Sequence, residues 1–164
     1  MKITRKTTGE VFIAEPKAWI TNAADYESSV KKISSTPTPS PKLPESYYVG
    51  IKTGDKSGAG TDSNITLTIE SNNGSYPATV LNPLLQGNAF ERNNLNSCVL
   101  SFPNYNDIGD ITKIVLQSDH KYAGADWYVD SVRIIRKTTG ELFFAEINQW
   151  IEDTKDHEYT CVTI

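Results

Sequence analysis

From Tyr47 onward the chain alternates between apolar and polar positions. Ile65, Leu67 and Ile69 are apolar while Thr66 and Thr68 between them are polar, the period-two pattern of a strand with one buried face. The same reading predicts strands over YYVGIKT (Tyr47–Thr53), NITLTIE (Asn64–Glu70), SCVLSF (Ser97–Phe102), DITKIVLQSD (Asp110–Asp119), WYVDSVRII (Trp127–Ile135) and ELFFAEI (Glu141–Ile147). β-Branched and aromatic residues fill these segments, and turn-forming runs such as TGDKSGAGTDS, SNNGS and PNYNDIGD separate them. About seven short strands in roughly 105 residues predict an antiparallel β-sandwich. Cys98 falls in phase with Leu100 and Phe102, which predicts a buried thiol.

One phrase occurs twice. RKTTGEVFIAEPKAWI (Arg5–Ile20) and RKTTGELFFAEINQWI (Arg136–Ile151) agree at 11 of 16 positions, too many for chance. The second copy closes the predicted sandwich, so residues 1–20 are expected to be the orphan closing strand of a preceding repeat. Residues 21–46 then form a linker, Pro-rich from residue 35, where STPTPSPKLPES carries four prolines that suit neither a helix nor a sheet interior. Between the leading copy and the Pro-rich stretch, ITNAADYESSVKKIS is expected to form a short helix or nothing regular. The intact domain spans 47–151 and residues 152–164 form a C-terminal tail. Left bare, the apolar leading copy invites pairing with an exposed edge or a strand-swapped homodimer through residues 1–20.

Composition narrows the function classes. Sixteen basic and 20 acidic residues give a net charge of -4 without any basic run, so no nucleic acid is expected as partner. No segment has the length and apolarity of a membrane-spanning helix, and MKITRKTTGE lacks the apolar stretch of a secretory signal. The expectation is a cytoplasmic chain or a piece of a larger protein. His120 and His157 are the only histidines and stand without a serine elbow or metal motif, which predicts no catalysis.

Four stretches, in order, carry a family likeness: YYVGIKTGDKSGAGTDSNITLTI, NAFERNN, ITKIVLQSDHKYAGADWYVDSVRI and TGELFFAEINQWI. Together they resemble the PLAT (lipoxygenase-homology) domain over Tyr47–Ile151. The resemblance implies an eight-stranded antiparallel β-sandwich acting as a non-catalytic accessory module. Such domains are similar to the lipid- or membrane-binding parts of lipoxygenases, lipases and clostridial alpha-toxin, and some hold a protein partner instead. A lipid or membrane surface is therefore the first expected partner, and a protein partner, sister domain or catalytic domain the alternative. AEINQW departs from the family in lacking a cysteine shortly before the closing tryptophan.

Two loops carry candidate chemistry. GAGTDSN (Gly58–Asn64) offers backbone carbonyls at Gly58 and Gly60 and a hard carboxylate at Asp62, the oxygen donors that Ca2+ takes. The likeness to the alpha-toxin adds Asn88 and Asp126, with Asp119 nearby. Gly58 and Ala89 stand where that pattern has acids, so any site is expected to be weak, with Kd roughly 0.1–1 mM. The alternative is that Asp62 and Asn64 only cap a turn. In LNPLLQGN, Leu84 and Leu85 follow a proline and either insert into a bilayer interface or fold back on the core. Tyr122 is a further membrane candidate, as is Trp127, although Trp127 and Tyr128 share an alternating strand and at least one faces inward.

Overall fold

The computed structural model describes residues 2–4, 11–13, 31–33, 45–105 and 107–164, the first three segments as backbone only. The chain divides into two units, Met1–Lys42 and Leu43–Ile164. In the first, β1 (Lys2–Thr4), β2 (Val11–Ile13) and β3 (Lys31–Ile33) form an antiparallel sheet in that order. Part of the segment expected to be a short helix or irregular is thus a strand. Its remainder, residues 20–30 and 34, lies outside the described residues, as does the Pro-rich linker up to residue 44.

The second unit is all β. It contains β4 (Glu45–Thr53), β5 (Ile65–Ser71), β6 (Gly74–Ser75), β7 (Thr79–Val80), β8 (Leu95–Phe102), β9 (Ile111–Ser118), β10 (Trp127–Arg136), β11 (Leu142–Ile151), β12 (His157–Thr160) and β13 (Val162–Thr163). One sheet runs β13-β11-β10-β4-β8; the other runs β12-β9-β5-β6, with β7 also on β5. Every pairing is antiparallel. The six long strands coincide with the six predicted from alternation.

Two expected boundaries move. Glu45 and Ser46, assigned to the linker, already pair with Phe102 and Ser101. Residues 152–164, assigned to a tail, return along β9 as β12 and along β11 as β13. Both pieces lie at sheet edges and bury little, so their apolar pattern carries no signal.

The core lies between the two sheets. Tyr47, Val49 and Ile51 of β4 and Ile134, Val132 and Val129 of β10 meet Ile65, Leu67 and Ile69 of β5 and Ile114 and Leu116 of β9, all nearly solvent-free. Cys98 is half-buried against this core and Cys161 buried; burial pushes the Cys161 thiol up to about 11 and raises Cys98 as well. Neither is poised as a thiolate.

At the end of the sandwich where β4 begins, most buried polar groups find partners in one another, although Arg136 Nε has none among the described residues. Tyr47 and Tyr76 join their hydroxyls at 3.2 Å, and Tyr76 stacks on Phe102 with centroids 4.0 Å apart. Arg136 pairs with Glu141 at 2.9 Å, donates to the Gly109 carbonyl and lies over the Phe143 ring. Thr138 donates to Glu45 at 3.2 Å. The turn between β10 and β11 is the RKTTGE of the repeated phrase. It closes through Arg136 N–H to the Glu141 carbonyl (2.9 Å) and Gly140 N–H to the Arg136 carbonyl (2.8 Å), with Gly140 at φ 80°. Only a residue tolerant of the left-handed region fits there without strain.

Candidate functional site

At the opposite end, three loops converge: 54–64 after β4, 81–94 before β8 and 119–126 before β10. Backbone bonds tie them together. Gly54 N–H donates to the Tyr128 carbonyl (2.9 Å), Asn93 N–H to that of Gly54 (3.1 Å), Thr61 N–H to that of Phe90 (3.2 Å) and Tyr128 N–H to that of Ala59 (3.0 Å). The Thr61 hydroxyl adds a bond to the Ala125 carbonyl at 3.0 Å. Gly60 permits this closeness, since a Cβ there would sit 3.1–3.3 Å from the Phe90–Arg92 backbone.

The floor of the loops is core. Trp127 is fully buried, packs edge-on to Phe90 at 5.0 Å and donates its indole N–H to Thr53 Oγ1 at 3.0 Å. Its expected membrane contact is therefore corrected, because the ring fills the sandwich and has its polar handle satisfied inside. Tyr128 is also buried, between Lys56 at 3.8 Å and Trp150 at 5.3 Å, so both residues of the pair belong to the protein interior. Phe90 sits at φ 60°, unusual for a bulky residue, and is held by its N–H to Asn96 Oδ1 (2.8 Å). Such strain persists only where the surroundings over-determine it.

Above this floor lies an open hollow of about 310 Å³, lined by Gly58, Ala59, Gly60, Thr61, Asp62, Glu91, Arg92, Ala123 and Gly124. Three of the six residues expected around a cation thus border one space: Gly58, Gly60 and Asp62. Asp62 is exposed and has no ion-pair partner among the described residues. Asn88 reaches the hollow through Glu91, to which its amide donates. Sequence reasoning passed over Glu91 although NAFERNN was singled out; its signal was a carboxylate three residues from Asn88.

Asp119 and Asp126 do not join this group. The Asp119 carboxylate clamps Asn64, accepting from its backbone N–H (3.0 Å) and its side-chain amide (2.7 Å), with Lys121 at 3.4 Å. Desolvation raises its pKa, but the Asn64 bonds and Lys121 outweigh that and hold the carboxyl below the ordinary range. Asp126 pairs with His120 at 3.0 Å. Nor is this end an uncompensated acidic cluster, since Arg92 pairs with Asp55 at 2.7 Å. Among the described residues no three His, Cys, Asp or Glu side chains come together as a metal cluster.

The apolar candidates part company. Leu84 ends a 3-10 turn (Asn82–Leu84) and is 45% exposed, whereas Leu85 packs on the core. Asn82 fastens this turn to the first loop, accepting from Ile65 N–H at 2.7 Å and donating to the Ser63 carbonyl at 3.0 Å. Tyr122 is 56% exposed on the third loop.

A family model of the PLAT/LH2 domain matches residues 47–163. Human lipoxygenase homology domain-containing protein 1 is 30% identical over 110 residues, which are 67% of this chain and 5% of that protein. The chain therefore spans a small fraction of the length of this curated relative. Among solved structures, coral 8R-lipoxygenase, described with calcium activation via a C2-like domain, is 30% identical with a TM-score of 0.59. The match covers 71% of this chain and 17% of that one. The alpha toxin of Clostridium absonum is 27% identical with a TM-score of 0.58, covering 76% and 33% respectively. With the two-sheet sandwich, the family model spanning most of the chain and these relatives in agreement, this chain belongs to the PLAT/LH2 domain family.

Proposed function

We propose that the loop end of the sandwich is a membrane-surface contact assisted by a weakly held calcium ion. The observation that carries this reading is the convergence of an open, carboxylate-bordered hollow with an exposed leucine and tyrosine on the loops around it. Calcium takes six to eight oxygens and tolerates water among them. Asp62, Glu91 and the Asn88 amide, with loop carbonyls, fit a partly hydrated ion. Arg92 on the same wall and the diversion of Asp119 and Asp126 keep the affinity low. The calcium activation described for the coral lipoxygenase supports the same reading.

Leu84 and Tyr122 supply the apolar contact. A fully buried leucine contributes about 1.5–3 kcal/mol, so two such side chains give reversible attachment. Bound calcium would oppose the negative charge of Asp62 and Glu91 and lessen repulsion from anionic head groups. The test is co-sedimentation with phosphatidylcholine vesicles, with and without phosphatidylserine, in 2–5 mM calcium or in chelator, taking those concentrations from roughly millimolar sites. Binding is expected to require calcium on the anionic vesicles and to drop several-fold in Leu84→Ser and Tyr122→Ser. Equal pelleting of both variants and the parent sinks the proposal.

A second reading, docking on a protein, is favoured by the outer face of the five-stranded sheet. Val99, Tyr48, Ile135 and Leu142 are successive cross-strand neighbours over four strands, with Ile164 bonded beside Leu142. Tyr48 is 50% exposed and Ile164 73%, so apolar side chains cross the sheet largely open to solvent, with Leu142 half-buried and Lys137 Nζ 5.0 Å from the Tyr48 ring centroid. Tyr48→Ser would weaken a protein partner and leave vesicle binding unchanged.

A further inference from the structure

The small sheet of residues 2–33 repeats the large one, pair for pair. Adding 131 to each residue number turns Lys2↔Ile13, Ile3↔Phe12 and Thr4↔Val11 into Arg133↔Phe144, Ile134↔Phe143 and Ile135↔Leu142, all register partners of β10 and β11. The same shift turns Phe12↔Lys32 and Ile13↔Lys31 into Phe143↔Thr163 and Phe144↔Val162, which are the partners of β11 and β13. Val11↔Ile33 becomes Leu142 and Ile164, joined by the Ile164 N–H to Leu142 carbonyl bond of 2.9 Å. Identity also runs past the repeated phrase, with Ile3, Asp25, Glu27 and Ile33 matching Ile134, Asp156, Glu158 and Ile164.

In the intact sandwich this three-strand piece is incomplete without β4. The far edge of β10 pairs with β4 through Ile134↔Val49, Arg133↔Gly50 and Ile135↔Tyr48. The register positions of Ile134 and Phe143, both fully buried, are held in the small sheet by Ile3 and Phe12. Among the described residues β1 pairs with β2 alone, so the edge equivalent to β10's β4 side carries unmet backbone groups.

We infer that residues 2–33 are the closing sheet of a sister PLAT/LH2 sandwich, and that the edge of β1 takes that sandwich's β4-type strand. In the large sandwich the strand on that side of β10 is β4, so a β4-type strand supplied in cis is the occupant that the register fits. A second copy of this chain is the poorer occupant. Its β4 is already paired with its own β10 from Tyr47 to Thr53. A swap would replace one closing sheet by another, gaining no pairing while spending the freedom lost on association.

The constant shift supplies the experiment. Residues 45–131 placed directly before Met1 of the full chain restore a continuous sandwich sequence, because residue 132 corresponds to residue 1. Backbone hydrogen exchange of the peptides covering residues 2–4, 11–13 and 31–33 is compared between this extended chain and the parent. A control carries residues 45–164 before the linker of an otherwise identical chain. At least tenfold slower exchange in the extended chain, abolished by Phe12→Asp, is expected. Unchanged exchange at those strands while the control's duplicate domain is protected overturns the inference. So does protection in the parent chain that rises with protein concentration, which assigns the edge to a second copy instead.

Discussion

The two ends of the sandwich use the same strands and reach opposite outcomes. Where β4 begins and β10 finishes, the polar groups of Arg136, Glu141, Thr138, Glu45, Tyr47 and Tyr76 find partners in one another or in the backbone, Arg136 Nε excepted, and few of them are left to bind a charged ligand. Where β4 finishes and β10 begins, the backbone is equally well tied, yet Asp62 and Glu91 border an open hollow and Leu84 and Tyr122 face solvent. Rigid loops carrying unspent side chains are what a binding end needs. The difference therefore lies in side-chain satisfaction above a common, well-packed floor.

The largest expected effect tests that floor. Trp127→Ala removes a fully buried indole and orphans Thr53, and should cost about 3–5 kcal/mol in urea unfolding. A loss below about 1 kcal/mol would mean that the loop end is loosely built and that its order does not rest on the core. Arg136→Met comes next. It strips Glu141 and the Gly109 carbonyl of a buried cation, and since Glu141 is partly exposed the expected loss is about 2–3 kcal/mol. The matching change at the open end, Asp62→Asn, should alter stability by less than about 0.5 kcal/mol. It should instead remove most of any calcium-induced rise in Tm. Equal destabilisation by Arg136→Met and Asp62→Asn would erase the contrast between the ends.

Sequence reasoning reached the strands and stopped at the side chains' partners. Ile65, Leu67 and Ile69 announce their face by alternation, and all three are buried. His157–Thr160 and Val162–Thr163 announce nothing, because edge strands half in water have no apolar face to display. The loops at the open end were found by composition, yet which acids stay available depends on partners far away in sequence. Asp119 is claimed by Asn64, 55 residues earlier, and Asp55 by Arg92, 37 residues later. Leu84 and Leu85 are adjacent and chemically alike; only the 3-10 turn pinned by Asn82 sends one outward and the other to the core. The repeated RKTTGE was legible as a repeat, but its reason, a hairpin turn with a buried Arg136, needed the fold.

The smallest effect is the sharpest test of whether the ends are independent. The folded Asp119 carboxyl lies below its unfolded value of ~3.9, so on acidification the unfolded chain takes up the proton first. The stability it confers is complete above the unfolded pKa and is lost as pH falls through the folded one. Asp119→Asn should flatten that acid limb of a urea-unfolding series, while Asp153→Asn serves as a surface comparison. Lys155 and His157 hold the Asp153 carboxyl at about 2, but it clamps no loop to a neighbouring strand. Because Asp119 joins loop 119–126 to Asn64, its loss should also quicken hydrogen exchange at Asn64 and Asp119, whose amides bond across that joint. Exchange at Arg136 and Gly140, bonded within the far hairpin, should stay as it was. If those far amides quicken to the same degree, the two ends open together, and the division between a satisfied end and an open end is one of chemistry without being one of dynamics.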